Sequence, residues 1–246
     1  MSNNEVRHRR VTTTDGMTLA VTAHGDPDRP TVVAVHGYPD DQTVWDGVVA
    51  ELAGRGVPVH AVELPLTGLA ADVAAARAAI AAAGPDCVVV GHSYGGAVIT
   101  EAAAGLPVAR LVYLAAFLTE PGEDTAGLMA GSKLMTSLVI SESGISVDPA
   151  AVAEVFYADA DAATVADVID RLRPMPLDGA APATTEAAWK SIPTTYVVCT
   201  NDQALPVASQ RIMAARATEV VEWPTDHSPF ATRPAAIADL VVAHLG

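Results

Sequence analysis

The sequence predicts an α/β protein: a mostly parallel, eight-stranded sheet flanked by helices and interrupted once by a helical insertion. Three observations carry this. Short apolar runs alternate with longer Ala-rich segments up to Ala115 and again from Thr194, the pattern of repeated βαβ units. Several runs, such as Thr31–Val35 and Cys87–Val90, are almost continuously apolar, as expected of strands buried on both faces. Between about Thr119 and Lys190 the alternation lapses into irregular, helix-patterned sequence broken by Pro, Gly and Ser.

The elements follow in order. Val6–Thr13 and Met17–His24 read as strands joined at Asp15-Gly16, a hairpin signal. The strand Thr31–Val35 is followed by a helix over Val44–Ala53, a strand over Val57–Val62 and an Ala-rich helix over Leu69–Ala83. Cys87–Val90 is a strand, Ala97–Ala104 a helix ending at Gly105, and Val108–Ala115 a strand. In the insertion, Asp148-Pro149 pairs an N-cap with a first-turn proline for a helix to about Tyr157. Another helix covers about Thr164 to Leu172 and stops before Pro174 and Pro176. Thr194–Cys199 (strand), Val207–Ala217 (helix), Glu219–Trp223 (strand) and Ala235–Leu245 (helix) close the pattern. We expect one domain over residues 1–246, with the insertion at about 119–190 placed as a cap over the strand ends.

Composition narrows the function. The net charge of −15 opposes binding to nucleic acid or to an anionic membrane. No apolar run approaches the ~20 residues of a membrane helix. The basic cluster Arg7, His8, Arg9, Arg10 leads into Thr12–Asp15 rather than an apolar stretch, so no signal peptide is expected. Cys87 and Cys199 sit inside apolar runs and read as buried strand residues. A cytoplasmic location is expected, and a homodimer is left open.

The most informative stretch is VVVGHSYGG, residues 88–96. It contains Gly91-His92-Ser93-Tyr94-Gly95, a G-x-S-x-G motif between an apolar strand and a helix. A strand turning abruptly into a helix pushes the corner side chain out of the sheet edge. The glycines around it let strand and helix approach. Ser93 is therefore the candidate nucleophile. A serine hydroxyl needs a base to take its proton, and His227 is the candidate. It follows the last strand in Trp223-Pro224-Thr225-Asp226-His227, at a strand's carboxyl end, where ligands meet open α/β sheets. His8 and His244 lie near the termini, His24 and His60 at or near strand ends without supporting residues, and His92 adjoins the serine on a tight turn. Asp202, after the strand Thr194–Cys199, is the candidate acid; Asp226 and Asp124 are its rivals. An oxyanion needs fixed donors. The N–H of Tyr94 and that of Tyr38, in the loop His36-Gly37-Tyr38-Pro39, are the candidates, with Gly37 admitting the backbone to the site.

On these residues the chain resembles the α/β-hydrolase superfamily over essentially its whole length. The matching pieces are VAVHGYPD (33–40), VVVGHSYGG (88–96), YVVCTNDQALP (196–206) and TDHSPF (225–230). ELPLTGLAADV (63–73), VFYAD, RLRPMPL and AWKSIP resemble the small carboxylesterases related to plant methylesterases and hydroxynitrile lyases. The resemblance implies a cofactor-free serine hydrolase with a helical cap. Dehalogenases and epoxide hydrolases of the superfamily carry an Asp at the elbow, where this chain has Ser93. His36-Gly37-Tyr38-Pro39 is nevertheless similar to the H-G-x-P loop of epoxide hydrolases and perhydrolases, which keeps peracid formation as a side activity. Hydroxynitrile lyases have Thr at the position of Gly37 and Lys at that of Ser228, so a lyase is disfavoured.

The expected reaction is cleavage of a small carboxylic ester through an acyl-enzyme, without metal or organic cofactor. Leu128, Met129, Leu134, Met135, Leu138 and Val139 have the spacing of one helix face. Gly37, Met129, Leu134, Tyr157 and Trp189 are the residues expected around the substrate. Two other classes share these motifs: a non-hydrolytic enzyme such as a lyase or cyclase, and a ligand receptor. Inactivity on every ester would favour the first, and a retained acyl group after a single turnover the second.

Overall fold

A computed structural model describes residues 7–12, 18–24, 31–123, 125–142, 144–176 and 183–245. The predicted turn at Asp15-Gly16 and the rival acid Asp124 lie outside them. The main sheet has eight strands: β1 (Arg7–Thr12), β2 (Thr18–His24), β3 (Val32–Val35), β4 (Val59–Val62), β5 (Cys87–His92), β6 (Val108–Leu114), β9 (Thr194–Cys199) and β10 (Glu219–Trp223). Their order is β1-β2-β4-β3-β5-β6-β9-β10. The six strands from β4 to β10 are parallel, and the β1–β2 pair joins antiparallel along β4.

Alternation along each central strand divides the core into two layers. Val33, Val35, Val89, Leu111, Tyr113, Tyr196 and Val198 face helices α2 (Leu69–Ala83), α3 (Tyr94–Ala102) and α8 (Val207–Ala214). Their neighbours Val32, Ala34, Val88, Val90, Val112, Leu114 and Val197 face α1 (Asp46–Gly54) and α9 (Pro234–Val242) on the other side. Every residue of β3 and β5 is buried, so these strands have no solvent-facing side. Each buried valine contributes ~1.5–3 kcal/mol. Helices α2 and α3 pack together in this layer, and their buried Ala75, Ala76, Ala79, Ala97 and Ala102 let backbone approach backbone where large side chains would hold the helices away.

The insertion between β6 and β9 departs from the all-helical expectation. Short helices α4 (Thr125–Leu128) and α5 (Lys133–Ser137) lead into an antiparallel hairpin, β7 (Leu138–Ser141) and β8 (Gly144–Val147). Helices α6 (Val152–Phe156) and α7 (Ala162–Ile169) follow. The proposed helical stripe therefore breaks at Leu138. Leu138, Val139 and Ile140 form a branched apolar run before a turn, which favours a strand. Met135 and Val139 stand 40% and 45% exposed rather than on a buried face. Gly144 (φ +118°) is where the cap backbone crosses itself: a methyl group there would lie 2.3 Å from the Met175 carbonyl oxygen. No helix among the described residues is long and apolar enough to cross a membrane.

Candidate active site

The carboxyl ends of β3, β5, β9 and β10 carry, in turn, the 36–40 loop, Ser93, Asp202 and His227. Ser93 stands between the last residue of β5 and the first of α3, with φ 51° and ψ −122°. A non-glycine residue pays roughly 1–3 kcal/mol for such a conformation. The surrounding backbone holds it: the Ser93 carbonyl accepts from the N–H of Gly96 (2.9 Å) and of Phe117 (3.0 Å). Gly95 makes the corner feasible, since a methyl group there would lie 2.5 Å from the His36 carbonyl oxygen.

His227 Nδ1 is 2.7 Å from Asp202 Oδ2, and both side chains are buried. Asp202 Oδ2 also accepts from Gln210 Nε2 (2.7 Å), and Oδ1 accepts from the N–H of Ala204 (2.7 Å) and Leu205 (2.9 Å). With four donors converging on it, the carboxylate is an acceptor at both oxygens, and the hydrogen lies on His227 Nδ1. His227 Nε2 is then the free lone pair; it is buried and has no hydrogen-bond partner among the described residues. Burial alone pulls the imidazole pKa down. The Asp202 carboxylate and its hydrogen bond, with Asp40 and Asp226 behind them, outweigh burial and leave the pKa above the ordinary 6.5.

Two further histidines fix the frame. His92 Nε2 donates to the His227 carbonyl (2.9 Å), and its ring packs on His227 at 4.6 Å between centroids. Burial, then the neighbouring His227, holds the His92 pKa well below 6.5, so this ring is neutral. His36 Nε2 accepts from the Leu64 N–H (3.0 Å), so Nδ1 carries the hydrogen and donates to the Gly37 carbonyl (2.7 Å). Burial lowers its pKa to about 4.

The rival acid Asp226 is committed elsewhere: its carboxylate accepts from the N–H of Ser228 (3.0 Å) and of Asp159 (2.9 Å). Gly37 lies against the serine, for a methyl group on it would be 2.8 Å from Ser93 Cβ. Tyr94, as the first residue of α3, has an N–H without an intrahelical acceptor. Its hydroxyl points away and donates to Asp72 (2.7 Å).

Ser93 opens into a cavity shared with the cap. Tyr38, Tyr94 and Phe117 line it with Met129, Leu134, Leu138, Ile145 and Met175 of the cap, where Thr125 adds a hydroxyl. The structure thus brings Met129 and Leu134 to the serine, but not Tyr157 or Trp189. The Tyr157 hydroxyl donates to Asp40 Oδ1 (2.9 Å), and Trp189 Nε1 donates to the Thr119 carbonyl (2.9 Å), so both rings are anchored away from this cavity.

Sequence reasoning missed Gln210 and Asp40. Gln210 carried a legible signal: it is a polar residue on the buried face of α8, beside Met213 and Ala214. Asp40 is also buried; burial lifts its pKa to about 6, against the opposing pull of the Tyr157 hydrogen bond and of His227.

Residues 32–240 match the alpha/beta hydrolase family. An alpha/beta hydrolase of Aspergillus novofumigatus is 30% identical over 87% of this chain and 94% of its own. A pyrethroid hydrolase of Sphingobium wenxiniae is 27% identical over 85% of both. Among solved structures, a methylesterase from Arabidopsis superposes with a TM-score of 0.71 at 20% identity, over 87% of this chain and 98% of that one. The chain belongs to the alpha/beta hydrolase family.

Proposed function

We propose that this protein is a serine carboxylesterase acting on small, uncharged esters with an apolar acyl or alcohol part. The reading rests above all on the buried Asp202–His227 pair, whose unpartnered Nε2 is held at the strand ends that also carry the strained Ser93. Ser93 Oγ attacks the ester carbonyl carbon as His227 Nε2 takes its proton. The Tyr38 and Tyr94 N–H groups bind the oxyanion, and collapse of the tetrahedral adduct expels the alcohol, which takes the proton from His227. Water, deprotonated by His227, then hydrolyses the acyl-enzyme and returns Ser93. The mostly apolar cavity lining and the pyrethroid hydrolase among the relatives support an ester with substantial apolar surface.

A series of p-nitrophenyl esters of increasing acyl length tests this. Turnover with saturation, and a mass increase on Ser93 after phosphonate treatment, is the expected result. A folded protein inert to every ester would overturn it in favour of a non-hydrolytic enzyme.

The pH profile provides a separate check. His227 acts as base only when neutral, so kcat/KM should fall as the pH drops through a midpoint above 6.5. Asp40 is one of the carboxylates that stabilise the imidazolium. Asp40→Asn removes that charge and keeps an oxygen for the Tyr157 hydroxyl, so the acid limb should move to lower pH. A limb that stays in place or moves up contradicts this account of His227.

A further inference from the structure

The RLRPMPL segment, residues 171–177, belongs to the cap. Its described part, 171–176, crosses above the loop that carries Tyr38. The Arg173 N–H donates to the Pro39 carbonyl (3.1 Å). One guanidinium nitrogen, Nη2, donates to the carbonyls of Asp40 (3.2 Å) and Leu64 (3.1 Å). The other, Nη1, pairs with Glu63 Oε1 (2.6 Å), and Glu63 Oε2 accepts from the Gln42 N–H (3.0 Å). Beside it, Arg171 pairs with Asp41 (2.8 Å). Met175 exchanges two backbone hydrogen bonds with Ile145, whose carbonyl accepts from the Tyr38 hydroxyl (2.7 Å). Tyr38, Pro39, Asp40, Asp41 and Gln42 are thus each tied to the cap, directly or through Glu63.

Pro39 has no N–H, so the loop cannot be fixed there by donating to its surroundings. Its carbonyls are the available handles, and Arg173 takes two in succession. On the other side, Gly37 is wedged against Ser93. The Tyr38 N–H therefore sits between a steric stop and a cationic clamp. We infer that Arg173 is a positioning residue that aims the Tyr38 N–H at the developing oxyanion, which couples the seating of the cap to transition-state stabilisation. The inference rests on the esterase reading above. A planar fork with several donors suits the task; a lysine ammonium cannot reach Leu64, Asp40 and Glu63 with the same geometry.

The test is Arg173→Lys, which keeps the charge and loses the fork. With an ester the wild type hydrolyses, kcat should fall about 10- to 100-fold, as for a mis-set oxyanion donor, with KM changed far less. Affinity for a trifluoromethyl ketone, which forms a tetrahedral adduct on serine, should fall in parallel. Affinity for the matching methyl ketone should hold. A kcat within twofold of wild type, or equal losses for both ketones, overturns the inference. Should Arg173→Lys fail to fold, Glu63→Gln removes the pairing at the half-exposed outer edge and should give a smaller loss of the same kind; no loss of kcat there also overturns it. A wild type inactive on all esters would instead remove the esterase reading itself.

Discussion

Ser93→Ala is expected to lower kcat/KM for a p-nitrophenyl ester by about 10⁴- to 10⁶-fold, the scale seen when a nucleophile is removed from a triad. The structure makes this substitution a clean one. Alanine keeps the Cβ that meets Gly37 and keeps the cost of a non-glycine residue at φ 51°. The two hydrogen bonds that hold the corner are accepted by the Ser93 carbonyl, which alanine retains. Stability should therefore change little, and the loss should belong to Oγ alone. Phosphonate labelling should vanish with it. A folded Ser93→Ala protein that keeps near-wild-type turnover would remove Ser93 from the mechanism and with it the acyl-enzyme.

How much of this was readable in advance follows from how each element is stabilised. The central strands of the main sheet announce themselves because burial on both faces demands apolar runs, as in β3 and β5. Helix α2 was readable to its ends, Leu69 and Ala83, because Gly68 and Gly84 bound it. The proximity of Asp202 to His227 was readable as well, because both follow strands whose carboxyl ends lie side by side. The cap was harder. Its pieces are four to eight residues long and are held by contacts with distant loops, so Leu138–Val147 shows neither a sustained helical period nor a long alternation. Tyr157 illustrates the limit: a large ring in a cap looks like pocket lining, and only the folded chain shows its hydroxyl on Asp40. The clamp of Arg173 on the 39–40 carbonyls joins backbone groups, which leave no mark in the sequence.

Asp202→Asn is expected to lower kcat about 10⁴-fold. Four donors meet this carboxylate: the Ala204 and Leu205 N–H groups at Oδ1, and Gln210 Nε2 with His227 Nδ1 at Oδ2. An asparagine can offer one oxygen and one NH₂. The backbone pair cannot turn away, so the amide oxygen stays with it and the NH₂ faces Gln210 and His227. The imidazole answers by becoming an acceptor at Nδ1, which moves its hydrogen to Nε2. The nitrogen that, in the proposed mechanism, takes the serine proton is then already protonated. Loss of a stabilising charge beside the imidazolium adds to the same barrier. Asp226→Asn presents a different case. Asp226 accepts from two backbone N–H groups and acts on His227 only through its charge, so the imidazole keeps its tautomer. That variant should retain most of kcat and show an acid limb shifted to lower pH. Steady-state kinetics of both proteins across pH 5 to 9 separates the two carboxylates. A larger loss from Asp226→Asn than from Asp202→Asn would reverse their roles.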